Sequence, residues 1–206
     1  AYLKAFQADT TSAFGGVLAT NKKIDRAAAE EINTLFFEIL IAPAYDADAL
    51  ELLKSKKNRM IMVQKKPLAE KIQFKSLLNG VIEQDLDLHT DSSADLKVVT
   101  KRTPTDSEVR ALLFASKIAK HTKSNTIVLA VEGQLLASGV GQTSRVDALR
   151  QAIEKAKSFG FSLKGSVMAS DAFFPFRDGV DAAAEAGISA IIQPGGSMRD
   201  DEVIAA

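Results

Sequence analysis

Cysteine is absent from this 206-residue chain. That absence removes disulfide scaffolds and thiolate metal centres together. Histidine is nearly absent too: only His89 and His121 occur, too few for a zinc site built from several imidazoles. A surplus of either charge is missing, since 26 Lys+Arg balance 26 Asp+Glu. This argues against a protein that holds nucleic acid through a broad basic surface, and leaves open a local anion site for a phosphorylated small molecule. Long apolar runs are lacking as well, and none approaches the ~20 residues of a membrane span. A secretory leader would place a charged region before an apolar one, whereas this chain starts Ala1-Tyr2-Leu3-Lys4-Ala5-Phe6, an amphipathic opening. A cytoplasmic protein that binds neither nucleic acid nor membrane is the expectation. Without an initiator Met, and with helical patterns cut off at both ends, it is expected to be a piece of a longer chain.

What is present is ordinary in bulk, 46% hydrophobic and 25% charged, and patterned as alternating helices and short apolar strands. Strands are expected at Gly16–Thr20, Glu38–Ala42 and Met60–Val63, with helices after Asp25 and Asp46. The basic run from Lys54 to Arg59 reads as a solvated helix end. Lys71–Leu78 alternates polar and apolar like a half-exposed strand, and Asn79-Gly80 is a turn signal. His89–Asp95 reads as a loop. A soft boundary near residue 100 separates a first unit, residues 1–100 with its linker, from a second, 101–206. Thr105 and Glu108 have capping-box spacing, with Val109, Leu112, Leu113 and Ser116 on one helix face. Thr126–Val131 and Gln134–Ser138 form a hairpin around Glu132-Gly133. Ser144 caps a helix whose face is Val146, Leu149, Ile153 and Ala156. Ser166–Ala169 and Ile188–Ile192 are the last strands. The halves share an order of loop, helix, strand and proline: Ser12–Gly16 to Pro43, and Ser170–Pro175 to Pro194.

The densest chemistry lies in Ser170-Asp171-Ala172-Phe173-Phe174-Pro175-Phe176-Arg177-Asp178. A core strand would not accept its proline and charges, and a solvated loop would not carry three phenylalanines. Two readings remain: an ordered binding loop, or a buried staple between elements. Thr122, Ser124 and Thr126 alternate, which puts three hydroxyls on one side of an extended backbone. Such a row can ligate a hard cation or make ordinary strand-entry hydrogen bonds. Gly139–Arg145 and Pro194–Ser197 each precede a helix and could offer backbone N–H groups to an anion. Lys120-His121 reads as a solvated helix end.

Taken together, these segments resemble the aminoimidazole-carboxamide ribotide (AICAR) formyltransferase domain of the bifunctional purine-biosynthesis family, which pairs that activity with IMP cyclohydrolase. The matching stretches are Asp9–Gly16, Glu38–Pro43, Val98–Arg102, Lys123–Asn125, Gly141–Arg145, Ser166–Asp178 and Ile192–Ser197, in family order. The resemblance implies an α/β fold of two cytidine-deaminase-like units, with mixed sheets flanked by helices. It implies formyl transfer from 10-formyltetrahydrofolate to AICAR by a homodimer. Gly15, Glu38, Asn125, Arg145 and Phe173 fall where the family holds the nucleotide, with Asn125 also a supporting catalytic residue. Val146, Asp178, Ser197 and Met198 fall where the folate is held. Thr122, Ser124, Thr126 and Asp171 resemble the family's monovalent-cation site, with potassium the candidate ion. The family's catalytic pair sits in a Lys-His-x-Asn-Pro-Cys-Gly context that these residues do not contain, and Lys120-His121 does not replace it. This stretch alone is therefore expected to be inactive. The alternative is a non-catalytic nucleotide-binding or dimerisation piece of the same fold. A zinc deaminase on this fold would need cysteine.

Overall fold

A computed structural model of the chain describes residues 1–67 and 70–206. Contacts divide it into two units, each an α/β assembly with its own core. One comprises Tyr2 and residues 11–90; the other comprises Ala1, residues 3–10 and 91–206.

In the unit of residues 11–90, β1 (Gly16–Ala19), β2 (Phe37–Ala42) and β3 (Met60–Val63) form a parallel sheet in that order. The crossovers are α2 (Arg26–Asn33) and α3 (Ala47–Lys54). The Asp25 carboxylate accepts the Ala28 N–H at 2.8 Å and starts α2. Asp46 makes no such cap on α3; its carboxylate binds Lys23 at 2.7 Å instead. Both helices pack on one sheet face, where Leu18, Leu40, Ala42 and Ile61 meet Ala29, Ile32, Ala49 and Leu53.

The expected half-exposed strand is an isolated hairpin of β4 (Ile72–Leu77) and β5 (Gly80–Asp85). It is exposed on both faces at every residue except Gln73. Its turn also differs from expectation by one position. Leu77 pairs with Gly80, which puts Leu78 and Asn79 at the turn, and Leu78 takes the left-handed φ of 48°. Residues 93–95 add one 3-10 turn capped by Ser92 and Asp95.

In the other unit, α1 (Tyr2–Gln7) precedes the rest in the chain. A four-stranded mixed sheet then runs in the order β7 (Gln134–Gly139), β6 (Ile127–Val131), β8 (Val167–Ser170), β9 (Ala190–Ile192). β6 is antiparallel to both β7 and β8, and β8 is parallel to β9. The expected capping box forms: Thr105 Oγ1 accepts the Glu108 N–H, and Glu108 Oε2 accepts the Thr105 N–H at 2.8 Å. The helix it starts, α4 (Asp106–Lys120), lies on one sheet face. Its buried stripe is Ala111, Leu112, Ala115 and Ala119 rather than one centred on Val109 and Leu113, because small side chains let the helix approach Val128, Ala130, Val167 and Ala169 closely. The opposite face carries α5 (Arg145–Ser158) and α6 (Asp178–Glu185), with Val203 of α7 (Asp200–Ala205). Leu149, Ile127, Leu129, Met168 and Phe174 fill that side. This sheet is thus covered on both faces.

The suspected likeness of the halves holds in part. Each unit contains two parallel neighbour strands joined by one helix, β1–α2–β2 and β8–α6–β9. The loops do not correspond, since β1 intervenes between residues 12–16 and α2, while residues 171–177 lead straight into α6. Among the described residues no helix is long and apolar enough to cross a membrane.

Candidate functional site

Sheet register decides which loops meet. Ile127 at the start of β6 pairs with Gly139 at the end of β7 and with Ser170 at the end of β8. β8 and β9 run parallel, so their C-terminal ends lie together. The segments at 122–126, 140–145, 171–178 and 193–199 therefore gather at one end of this sheet, where loops on a rigid scaffold commonly carry binding residues.

Gly139 is required at the β7 exit. A Cβ there would lie 1.9 Å from the Ala148 carbonyl oxygen of α5. The next loop locks onto residues 123–125 by backbone bonds: Gly141 N–H to Lys123 O at 2.8 Å, Asn125 N–H to Gln142 O at 3.0 Å, and Gln142 N–H to Asn125 O at 3.3 Å. Val140 N–H donates to Gln151 Oε1. These bonds occupy the N–H groups of Val140, Gly141 and Gln142 and fasten the turn to residues 123–125 and to α5.

Arg145, the first residue of α5, is the centre of the arrangement. Its Nη1 donates to Asn125 Oδ1 at 2.7 Å, and its Nη2 faces Asp171 Oδ1 at 3.2 Å. Its Nε points to the Ala172 carbonyl at 3.5 Å. The Arg145 and Asp171 side chains are only 10% and 12% exposed. Asn125 Nδ2 donates to the Gln142 and Thr143 carbonyls at 2.9 and 3.1 Å. Asp171 Oδ1 also accepts the Thr126 N–H at 3.1 Å, and its Oδ2 accepts the Ser124 hydroxyl. Among the described residues, the three contacts of Arg145 leave two of a guanidinium's five donors for a ligand.

The candidate cation ligands are only partly assembled. Ser124 and Asp171 bond to each other. Thr126 directs its hydroxyl to Lys123 O at 2.6 Å, and Thr122 directs its own to Ala119 O at 2.8 Å, at the end of α4. Arg145 already supplies positive charge at Asp171. No cluster of three or more His, Asp or Glu suited to a metal ion occurs among the described residues.

The aromatic loop buries one of its three rings and exposes the other two. Phe174 is 1% exposed and belongs to the core, and its ring sits where a Cβ on Gly179 would collide at 2.6 Å. Phe173 is 40% exposed and Phe176 48%. Phe174 N–H donates to Gln193 Oε1 at 2.7 Å, which ties this loop to the turn after β9. Arg199 lies over the Phe176 ring at 4.8 Å, a link the sequence did not reveal because the two residues are distant along the chain. Asp178 is exposed, with Oδ1 on the Gly179 N–H at 2.8 Å. Ser197 and Val146 are half-buried, and Met198 is fully exposed.

In the 194–197 turn, Gly195 and Gly196 take φ of 68° and 93°. The Gly196 N–H is held by Asp200 Oδ2 at 2.6 Å, so this turn too satisfies a donor internally. Asp200 was not anticipated; the signal available was an acid four residues after the second glycine.

Gly15 and Glu38 belong to the unit of residues 11–90 and lie side by side in it. Gly15 has φ of 77°, donates to Phe36 O at 2.9 Å, and a Cβ there would be 3.8 Å from Glu38 Oε1. The Phe14 and Phe36 rings are 5.2 Å apart. Arg59 is not the solvated helix end the sequence implied. It packs 4.2 Å over Phe37 and bonds Asn33 Oδ1 and Leu35 O, and burial lowers its pKa. The ring face and the two acceptors offset part of the hydration its cation loses. His121 caps the end of α4 and is exposed.

Comparison with known proteins shows the family. The family described as the AICARFT/IMPCHase bienzyme matches residues 1–155. The bifunctional purine biosynthesis protein PurH of Bacteroides thetaiotaomicron is 64% identical over 201 residues, 98% of this chain and 40% of that protein. The protein of the same name from Chlorobium phaeobacteroides is 53% identical over 207 residues, all of this chain and 39% of that one. That from Aquifex aeolicus is 51% identical over 204 residues, 99% of this chain and 40% of that one. The chain thus spans about 40% of the length of the curated relatives it matches.

Proposed function

The chain belongs to the AICARFT/IMPCHase bienzyme family, and on that premise we propose that it carries ribotide- and folate-binding residues of a transformylase. The enzyme moves a formyl group from 10-formyltetrahydrofolate to AICAR in purine (IMP) biosynthesis in the cytoplasm, as a homodimer, and the longer protein also has IMP cyclohydrolase activity. The observation that carries this reading is the half-buried Asn125–Arg145–Asp171 network close in sequence to the exposed ring of Phe173. It pairs a fixed cation that has donors to spare with a flat apolar surface, as an anionic planar heterocycle requires.

Arg145 offers its remaining N–H groups to the ribotide, and Asn125 holds it in place, reaching with it toward the partner subunit's nucleotide. Phe173 stacks on the imidazole, a contact worth about 0.5–1.5 kcal/mol beyond area burial. Gly15 permits close approach of the ligand to Glu38, whose carboxylate accepts hydrogen bonds. Val146, Asp178, Ser197 and Met198 line the folate side. A potassium ion at Thr122, Ser124, Thr126 and Asp171 would require the Thr122 and Thr126 hydroxyls, now bonded to Ala119 O and Lys123 O, to offer their oxygens beside the Ser124–Asp171 pair.

The reaction forms a bond from the ribotide amine nitrogen to the formyl carbon and breaks the bond from that carbon to N10 of the folate. The amine loses a proton and N10 gains one. Its lone pair is delocalised into the ring and carboxamide, so a general base and a donor at the formyl oxygen are needed, each typically worth a factor of about 10² or more. No residue of this chain is assigned either role, with Asn125 in support only. The family's Lys-His pair would supply them from elsewhere in the longer protein.

The second reading, a binding or dimerisation piece without turnover, draws on that missing base. Tetrahydrofolate release with AICAR and 10-formyltetrahydrofolate separates the two. The longer parent protein should release tetrahydrofolate only when AICAR is present, and the isolated chain should fall at least about 10²-fold below it. A parent without AICAR-dependent release would overturn formyl transfer. An isolated chain as fast as the parent would return His121 to consideration as the base.

A further inference from the structure

Phe173 is exposed, yet the backbone on both sides of it is held. Before it, the Ala172 carbonyl accepts the Ser170 hydroxyl at 2.6 Å and faces Arg145 Nε at 3.5 Å. After it, the Phe174 N–H donates to Gln193 Oε1 at 2.7 Å. Each peptide unit is planar, so fixing the two planes sets φ and ψ of Phe173, and with them the direction of its Cα–Cβ bond. The buried Phe174 ring, packed where Gly179 leaves room, anchors the next step of the chain. Among these supports, Gln193 is the one that reaches the loop from the exit of β9.

Sheet register and sequence put Gln193 there. Ala169 pairs with Ile192 at the end of the parallel β8–β9 ladder, so Ser170 and Gln193 leave the sheet side by side. Pro194 biases the residue before it to extended backbone, and Gln193 continues the line of β9. Its side chain is half-buried and long enough to cross to residue 174. A backbone N–H can be met only by an acceptor, so the amide oxygen faces it. The same glutamine opens the turn at 194–197, which Asp200 Oδ2 pins through the Gly196 N–H at 2.6 Å. Arg199, 4.8 Å over the Phe176 ring, ties the two segments a second time. We propose that Gln193 is a positioning residue for formyl transfer. Acting through the Phe174 N–H rather than on a reactant, it aims the Phe173 ring and locks the stacking loop to the turn that carries Ser197 and Met198. Its role rests on the reading of Phe173 as the ring that stacks on the ribotide imidazole.

A double-mutant cycle in the full-length parent separates aiming the ring from general support of the fold. Gln193→Met keeps the length of the side chain and removes the acceptor. The Kd for AICAR is measured by titration calorimetry for the parent, Gln193→Met, Phe173→Ala and the double variant, with melting temperatures alongside. Gln193→Met should raise the Kd about twofold to tenfold, no more than loss of the ring itself, and should add nothing once Phe173 is alanine. An unchanged Kd in Gln193→Met would overturn the proposal. So would an equal rise in both backgrounds, because the glutamine would then not act through the ring. A Kd unchanged by Phe173→Ala alone would instead sink the ribotide reading of Phe173, and the role of Gln193 with it. Gln193→Glu keeps an acceptor oxygen and should bind AICAR like the parent; it carries the test if Gln193→Met does not fold. A Glu variant that melts like the parent but binds as weakly as Phe173→Ala would also overturn the proposal.

Discussion

Adjacent phenylalanines divide the labour in the loop after β8. Phe174 is buried and Phe173 exposed, so their truncations should fail differently. Phe174→Ala should cost about 3–5 kcal/mol of stability, as for any large core ring. Phe173→Ala should leave the melting temperature nearly unchanged. Thermal unfolding of both variants checks this, and equal losses would contradict the division. At the network beside them, Asp171→Ala removes one partner of a half-buried guanidinium that keeps Asn125 and should destabilise by about 1–3 kcal/mol, measurable by urea unfolding. Neither division nor network was legible from the sequence beyond its residue types. The three phenylalanines left a binding loop and a buried staple open, and which ring turns inward depends on Gly179 leaving room for Phe174.

Individual elements were read more easily. Helix starts at Asp25, Thr105 and Ser144 were visible because a side-chain cap is a local interaction, and each makes its bond. Strand positions followed from short apolar runs. Errors arose where a distant partner competes. Asp46 prefers Lys23 to its own helix, and Arg59 leaves solvent for Phe37. The capping box of α4 also carries a pH dependence. Glu108 is held down from 4.5 to about 2, first by its hydrogen bond from Arg102, with Ser189 and Thr105 adding to the effect. A depressed carboxyl pKa contributes stability above its unfolded value and loses it as pH falls through the folded one. Melting temperature should therefore fall between about pH 4.5 and about 2, and Glu108→Gln should flatten that stretch. An unchanged slope in the variant would assign acid lability elsewhere. At the β7 exit, Gly139→Ala must push β7 and α5 apart, because its Cβ would meet the Ala148 carbonyl at 1.9 Å. It should unfold the chain or prevent soluble expression, whereas Gly133→Ala, with open space around it, should be tolerated apart from the strain of a φ of 69°.

At the scale of the whole molecule, the α/β class and the family were within reach of the sequence, since ordered motifs run along nearly the whole chain. Gly15 with Glu38, and Asn125 with Arg145 and Asp171, are adjacent within their units because strand ends bring their loops together. Spacing along the chain could not show that Gly141 and Gly196 have their N–H groups occupied, since one acceptor comes from another segment and the other from the following helix. The central claim is that this chain binds the ribotide through Arg145 and Phe173 while the base lies elsewhere in the parent. It is tested most directly by steady-state formyl transfer in the full-length parent carrying Phe173→Ala. The KM for AICAR should rise by about threefold to tenfold, matching a stacking loss of about 0.5–1.5 kcal/mol, with the KM for 10-formyltetrahydrofolate unchanged. An unchanged KM for AICAR in a variant that melts like the wild type would contradict the account.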